Sequence, residues 1–222
     1  MDHMDQLFES AAKLQEIEPS AVLVGGTAAT FHAHHRYSYD HDHVVQDLQY
    51  RYDIVLDNLS HLDGWTTNTR VTKPPMTIMG DLDGYQAGLR NLRRKTPLEV
   101  EEVTLPSGKT LRVPTLEETL RIKTFLIVQR NQVRDYLDVA ALSEKMEVPQ
   151  ACSVLSRIDD YYEEFTHTQG SVLSELVAQL SDPDPRDAEN KHNLAEYKGV
   201  TNGWGSWETV ENVCKEVASC LA

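Results

Sequence analysis

The sequence predicts an α+β (α/β mixed) fold, in which short strands and helices alternate through the first half and helices alone make up the second. Three observations carry that expectation. Met4, Leu7, Phe8, Ala11, Leu14 and Ile17 recur at helical spacing. The apolar run Ala21-Val-Leu-Val24 stops at a Gly25-Gly26 turn, with further strand-like segments beyond it. From Pro114 onward the apolar period is helical throughout.

In order, residues 4–17 read as an amphipathic helix that ends near Glu18-Pro19. Residues 21–24 read as a strand, 27–33 as a helix, 39–45 as a strand and 47–59 as a helix. Strands follow at 84–92 and 97–104, and Pro106-Ser-Gly-Lys109 turns the chain into a strand at 110–113. Thr115 and Glu118 have the spacing of a capping box for a helix at 116–130. Helices at 135–145, 150–166 and 171–180 come next, then the breaker Asp182-Pro-Asp-Pro185 and a helix at 206–221. The division expected is residues 1–113 and 114–222.

Composition sets limits on function. The chain has 222 residues, 40% of them apolar, enough to bury a proper core. No apolar stretch approaches the roughly 18 residues that cross a bilayer, and the first residues have no signal-peptide pattern, so a cytoplasmic protein is expected. Cys152, Cys214 and Cys220 are an odd number without C-x-x-C spacing and are expected to be reduced and structural. A formal charge of -14 opposes nonspecific contact with polyanions, so any nucleic-acid contact must be local. Arg90-Asn-Leu-Arg-Arg-Lys95 is the local candidate.

The chemistry lies between the Gly-Gly turn and the strand after it. Glycines admit close approach of a ligand, and the N–H groups opening the next helix favour phosphate oxygens. Asp40 and Asp42 in Ser38-Tyr-Asp-His-Asp-His-Val-Val45 stand two apart on a strand, on one face and roughly 6–7 Å apart, able to converge on Mg2+ (or Mn2+). Such a pair of carboxylates is also common on an exposed edge strand, and its position after Gly-Gly is what raises its weight. A third carboxylate is sought on the neighbouring strand, with Glu101 preferred over Glu99. Lys123 interrupts the apolar stripe Leu116, Leu120, Ile127, so it must meet an anion: either a triphosphate or an internal aspartate such as Asp138.

Leu23-Val-Gly-Gly-Thr-Ala-Ala, His35-Arg-Tyr-Ser-Tyr-Asp-His-Asp, Leu116-Glu-Glu-Thr-Leu-Arg-Ile-Lys123 and Arg134-Asp-Tyr-Leu-Asp together resemble the AbiEii-type nucleotidyltransferase toxins, MenT-like members of the DNA polymerase beta-like nucleotidyltransferase superfamily. The resemblance covers roughly residues 20–145. It implies a polymerase beta-like nucleotidyltransferase lobe with a small mixed sheet, followed by an α-helical lobe that contributes Lys123 and Asp135. It further implies an enzyme of a type IV-like toxin-antitoxin system that moves NMP from NTP to an acceptor, the tRNA 3′ end, and that has a cognate antitoxin protein. By the same resemblance Gly25, Gly26 and Thr27 hold the triphosphate with Ser38 beside it, Asp40 and Asp42 bind metal, Lys123 contacts phosphate, and Asp135 matches the acidic residue of the fourth motif. Arg36 is a further candidate for the leaving pyrophosphate. His41 and His43 depart from the family's pattern, which has aliphatic residues there.

Two other readings stay open. A protein or small-molecule acceptor would suit the acidic chain. His32, His34, His35, His41 and His43, alternating with aspartates, would suit a zinc-binding hydrolase or module. On a strand, however, His41 and His43 face away from Asp40 and Asp42.

Overall fold

The computed structural model describes residues 2–201 and 203–222, which backbone contacts group into two units. The first comprises the chain up to Ala28 with Ser38–Thr115; the second comprises Ala29–Tyr37 with Leu116–Ala222.

The first unit opens with α1 (His3–Ile17). Asp2 and Asp5 close a reciprocal capping box at its start, each carboxylate accepting the other's backbone N–H. Its periodic residues Met4, Leu7, Ala11 and Leu14 are buried, as their spacing requires. After β1 (Val22–Val24) comes α2 (Gly25–Ala33), whose first turn belongs to this unit, then β2 (Asp40–Val45) and α3 (Leu48–Ser60). Strands β3 (Trp65–Thr67), β4 (Thr77–Leu82) and β5 (Tyr85–Asn91) complete a five-stranded mixed sheet in the order β1-β2-β5-β4-β3. Only β2 and β5 run parallel in it. Val45, Leu48, Val55, Leu59, Ile78, Leu82 and Leu89 form its core, each fully or almost fully buried side chain contributing ~1.5–3 kcal/mol.

Strands β3 and β4 are additions to the sequence reading. Trp65–Thr67 spans three residues, too short for a period, and Gly80 interrupts the alternation of Thr77–Leu82. Trp65 uses that gap: a Cβ on Gly80 would lie 2.5 Å from its ring. Pairing between Leu82 and Tyr85 across Asp83-Gly84 makes β4 and β5 a tight hairpin.

Strands β6 (Val100–Thr104) and β7 (Thr110–Pro114) form a separate two-stranded sheet. On its free side β7 meets Gln15 of α1. The Gln15 side-chain amide donates to the Arg112 carbonyl at 2.9 Å and accepts from the Arg112 N–H at 2.7 Å, taking the two backbone positions a third strand would use.

The second unit is helical: α4 (Leu116–Arg130), α5 (Val133–Met146), α6 (Val148–Leu155), α7 (Ile158–Tyr161), α8 (Glu163–Gln169), α9 (Val172–Ser181) and α10 (Trp207–Leu221), with 3-10 turns at Ala188–Lys191 and Leu194–Gly199. One helix expected over 150–166 is three. Arg157 and Tyr162 leave helical geometry, and the side chains released find better partners. Asp159 accepts from the Ser171 hydroxyl at 2.6 Å and the Leu173 N–H at 3.1 Å, closing the start of α9. Tyr162 stacks on Phe125 with ring centres 3.9 Å apart.

Candidate active site

Asp40 and Asp42 occupy the half-buried face of β2, while His41 and His43 between and after them are fully buried on the other. The period of two along the strand produces this division, and it keeps the imidazoles away from the carboxylates. The Ser38 hydroxyl donates to Asp40 Oδ1 at 3.1 Å, and the Thr27 hydroxyl donates to the Asp40 carbonyl. Ser38 is itself held from α1: His3 Nε2 donates to its carbonyl at 2.8 Å.

Two glycines stand beside Asp42, one required by its backbone conformation and the other by the space it leaves. Gly25 leaves β1 with φ +76, a conformation that side-chain-bearing residues rarely adopt, and an added Cβ there would come within 3.6 Å of the Asp42 Cβ. Gly88 stands opposite Asp42 on β5, where an added Cβ would sit 2.7 Å from Asp42 Oδ1. The same parallel register sets Gln86 opposite Asp40 and Arg90 opposite Val44. Arg90 Nε lies 3.7 Å from Asp42 Oδ1, with about half of its side chain exposed.

The register also corrects the expectation of a third carboxylate. The strands flanking β2 are β1 and β5, whereas Glu101 stands exposed on β6, which pairs with β7 alone. The strand beside the aspartates offers an amide, a glycine and a guanidinium at the matching positions. Among the described residues, no group of three or more His, Cys, Asp or Glu side chains is arranged to hold a metal ion, the histidine-rich segment included.

Beneath the sheet, His41 Nε2 meets the Ser10 hydroxyl at 3.1 Å and its ring stands edge-on to His43 at 5.3 Å. Burial pushes the His41 imidazole down to about 4, against a smaller opposing pull from Asp40. Burial holds His43 well below its usual value too, with His41 adding to the effect. Both are neutral packing residues at pH 7.

In the helical unit, Lys123, Arg36 and His35 converge on Asp138. Its carboxylate accepts from His35 Nε2 at 2.7 Å and from Arg36 Nε at 2.7 Å and Nη2 at 3.0 Å, and Lys123 Nζ lies 2.7 Å away. All four side chains are at most 3% exposed. Burial alone would raise the Asp138 carboxyl, but the Arg36 and Lys123 charges outweigh it and hold the group well below the usual carboxylate range. His35 is shifted down, mainly by burial, so it is neutral and donates from Nε2.

Lys123 thus meets an internal aspartate, and that aspartate is Asp138. Asp135, matched by the resemblance to the acidic residue of the fourth motif, is clasped by Arg130, with Nε–Oδ2 and Nη2–Oδ1 both 2.7 Å. Arg36, expected on pyrophosphate, adds a cation–π contact with Tyr197 at 5.9 Å. Gly88 and Arg90 are the residues that sequence reasoning did not place at the carboxylates. Only the parallel pairing of β2 with β5, a contact between distant segments, reveals them.

The mixed sheet followed by a helical part is a fold shared with several solved structures of nucleotidyltransferases. Among solved structures the chain is similar to the MenT4 nucleotidyltransferase toxin of Mycobacterium tuberculosis H37Rv, at 14% identity and TM-score 0.55, over 98% of this chain and 82% of that one. A nucleotidyltransferase-like protein of Helicobacter pylori matches 98% of this chain and 94% of its own at 14% identity and TM-score 0.52. The antibiotic-resistance factor ANT(2'')-Ia matches 73% of this chain and 95% of its own at 9% identity and TM-score 0.53. The likeness is one of fold, and it accords with the AbiEii and MenT-like resemblance. No family model matches the chain. By sequence it is 35% identical over 142 residues to the heme uptake protein MmpL11 of Mycobacterium tuberculosis, covering 64% of this chain and 14% of that protein. The chain therefore spans about one seventh of that relative's length. Among the described residues, no helix is long and apolar enough to cross a membrane.

Proposed function

We propose that the chain is a nucleotidyltransferase that moves NMP from NTP to an acceptor hydroxyl, acting in the cytoplasm as the toxin of a toxin-antitoxin pair. One observation carries the reading: two carboxylates share the accessible face of β2, in a space kept open by Gly88. Hard oxygen donors on one face suit Mg2+ or Mn2+, so the donor set fits the cation such a reaction uses. When bound, that cation would supply charge neutralisation on the triphosphate and lower the pKa of the acceptor hydroxyl.

The remaining work falls to side chains. Asp40, steadied by Ser38, and Asp42, beside Arg90, would hold the cation. The turn at Gly25 and Gly26, with the opening of α2, offers backbone N–H groups to the triphosphate. The acceptor oxygen attacks the α-phosphorus, the bond from it to pyrophosphate breaks, and the acceptor proton leaves to solvent or a base. For Lys123, Arg36 and Asp135, a role on phosphate or in proton transfer requires their present ion pairs to open.

An RNA acceptor, with the tRNA 3′ end as the leading candidate, is supported by charge placement. Residues 64–98 carry six basic side chains (Arg70, Lys73, Arg90, Arg93, Arg94, Lys95) and two acids (Asp81, Asp83) in a chain of net charge -14. Five of the six are exposed; Arg94 is buried, donating to the Thr96 and Pro97 carbonyls. Incubation with each labelled NTP, Mg2+ and total RNA tests the reading. Labelled tRNA with the intact chain, and none with Asp42→Ala, is the expected result. Equal labelling by both proteins overturns it, and label on protein or on a small molecule would move the acceptor elsewhere.

A further inference from the structure

The ribbon of β6 and β7 has two outer edges, and the chain treats them differently. Glu102 pairs with Arg112, and two bonds set the phase of the ladder: Thr115 N–H to the Glu99 carbonyl at 3.0 Å, and Leu105 N–H to the Lys109 carbonyl at 2.8 Å. Bonded positions alternate in an antiparallel pair, so Glu101 and Val103 turn their backbone groups toward β7, while Val100, Glu102 and Thr104 turn theirs outward. The same alternation turns Arg112 and Pro114 outward on β7. There Gln15 takes both groups of Arg112, and Pro114 has no N–H to offer. β6 carries neither device: among the described residues, no hydrogen bond reaches the backbone of Val100, Glu102 or Thr104.

This edge is also acidic. Glu99, Glu101 and Glu102 are exposed, with Val100 and Val103 half-buried among them. Glu101 and Glu102 stand on opposite faces of the strand, so a chain laid along the edge meets a carboxylate on each side. The Glu102 carboxylate lies 3.7 Å from Arg112 Nε and its side chain is 68% exposed, which leaves it open to a second cation. A second copy of the chain is a poor occupant. Antiparallel pairing of β6 with itself about Glu102 sets Glu102 against Glu102, and each copy carries a net charge of -14.

We propose that the β6 edge is a docking site for an extended, basic segment of a protein partner, which joins the ribbon as a third strand through the backbone of Val100, Glu102 and Thr104. An antiparallel guest sets one side chain opposite Glu102 and the next opposite Glu101, so adjacent Lys and Arg flanked by β-branched residues fit the edge best. Backbone groups supply the ladder, and the two carboxylates select the sequence. They repel phosphate as they repel acidic strands, which sets nucleic acid aside as the occupant.

The test uses the full chain and the capped peptide Thr-Val-Lys-Arg-Val-Lys, which runs antiparallel to residues 99–104. Expected are saturable binding that weakens as salt rises and slowed hydrogen exchange at the amides of Val100, Glu102 and Thr104. Reversing both charges, Glu101→Lys with Glu102→Lys, should weaken binding by about tenfold or more. Thr104→Pro, which removes an outward N–H and no charge, should weaken it several-fold, and so should N-methylation of the peptide at its first lysine. Absence of binding overturns the proposal, as does equal binding by the N-methylated peptide or by Thr-Val-Glu-Glu-Val-Glu. Binding that leaves the three amides unprotected also overturns it. Protection of those amides by an RNA oligonucleotide, or by dimers of the chain itself, would give the edge to another occupant and overturn it equally.

Discussion

At the scale of single residues, the space around Asp42 is the most sensitive feature of the first unit. Gly88→Ala would place a methyl 2.7 Å from Asp42 Oδ1 and 2.7 Å from the Met79 sulfur. The methionine can give way, but the carboxylate has to turn out of line. Transfer should fall on the order of a hundredfold while the fold is kept, a split that kinetic assay alongside circular dichroism would measure. Asp138 has the opposite character. Asp138→Asn leaves the Arg36 and Lys123 charges buried without their anion, and should cost about 3–5 kcal/mol, read as a lower denaturation midpoint. Sequence alone made this residue legible as the internal partner of Lys123, because a lysine on an apolar stripe demands an anion and Asp138 was a near candidate. Gly88 stayed hidden: a glycine inside a strand has no local signature of what crosses it.

At the scale of elements, β2 carries chemistry on one face and a titration liability on the other. His41 has a folded pKa of about 4 against an ordinary value near 6.5, so the unfolded chain takes up its proton first as the pH falls. Its neutral burial thus supports the fold fully above pH 6.5, and that support is lost progressively between pH 6.5 and 4. By pH 5 the loss amounts to about 2 kcal/mol from this residue alone, with His43 adding in the same direction. Melting temperatures measured from pH 7.5 to 5 should fall, and His41→Leu should flatten the curve. The alternation in Asp40–Val45 was readable from the sequence because a period of two assigns faces without further information. Strands β3 and β4 were not, since three residues make no period and Gly80 exists to admit Trp65 from another strand. The break at 156–157 escaped for a related reason. Just past the break Asp159 caps the start of α9 at Ser171 and Leu173, partners remote in sequence.

At the scale of the whole molecule, charge is sorted rather than scattered. Arg70, Lys73 and Arg93 are exposed in a stretch where Asp81 and Asp83, at the opposite end of β4, are the only acids. Neutralising these three should weaken RNA binding and flatten its salt dependence by about 0.7 in log–log slope for each phosphate contact removed. Filter binding across a salt series would measure this, and an unchanged slope would remove RNA from that surface. The order of strand, turn, helix and strand, and the later helical part, were legible because each rests on local periodicity. The parallel join of β2 to β5 was not, because nothing in either segment specifies its partner.

The Gln15 amide on the free side of β7 has a consequence for life in a crowded solution. A two-stranded ribbon with an open rim is a template on which another chain can zip, the first step toward aggregates. Here the β7 rim is already occupied at Arg112 by a side chain from α1, so that edge presents no complete ladder to a stranger. One buried glutamine thus closes that edge to strand addition through two bonds to a single residue.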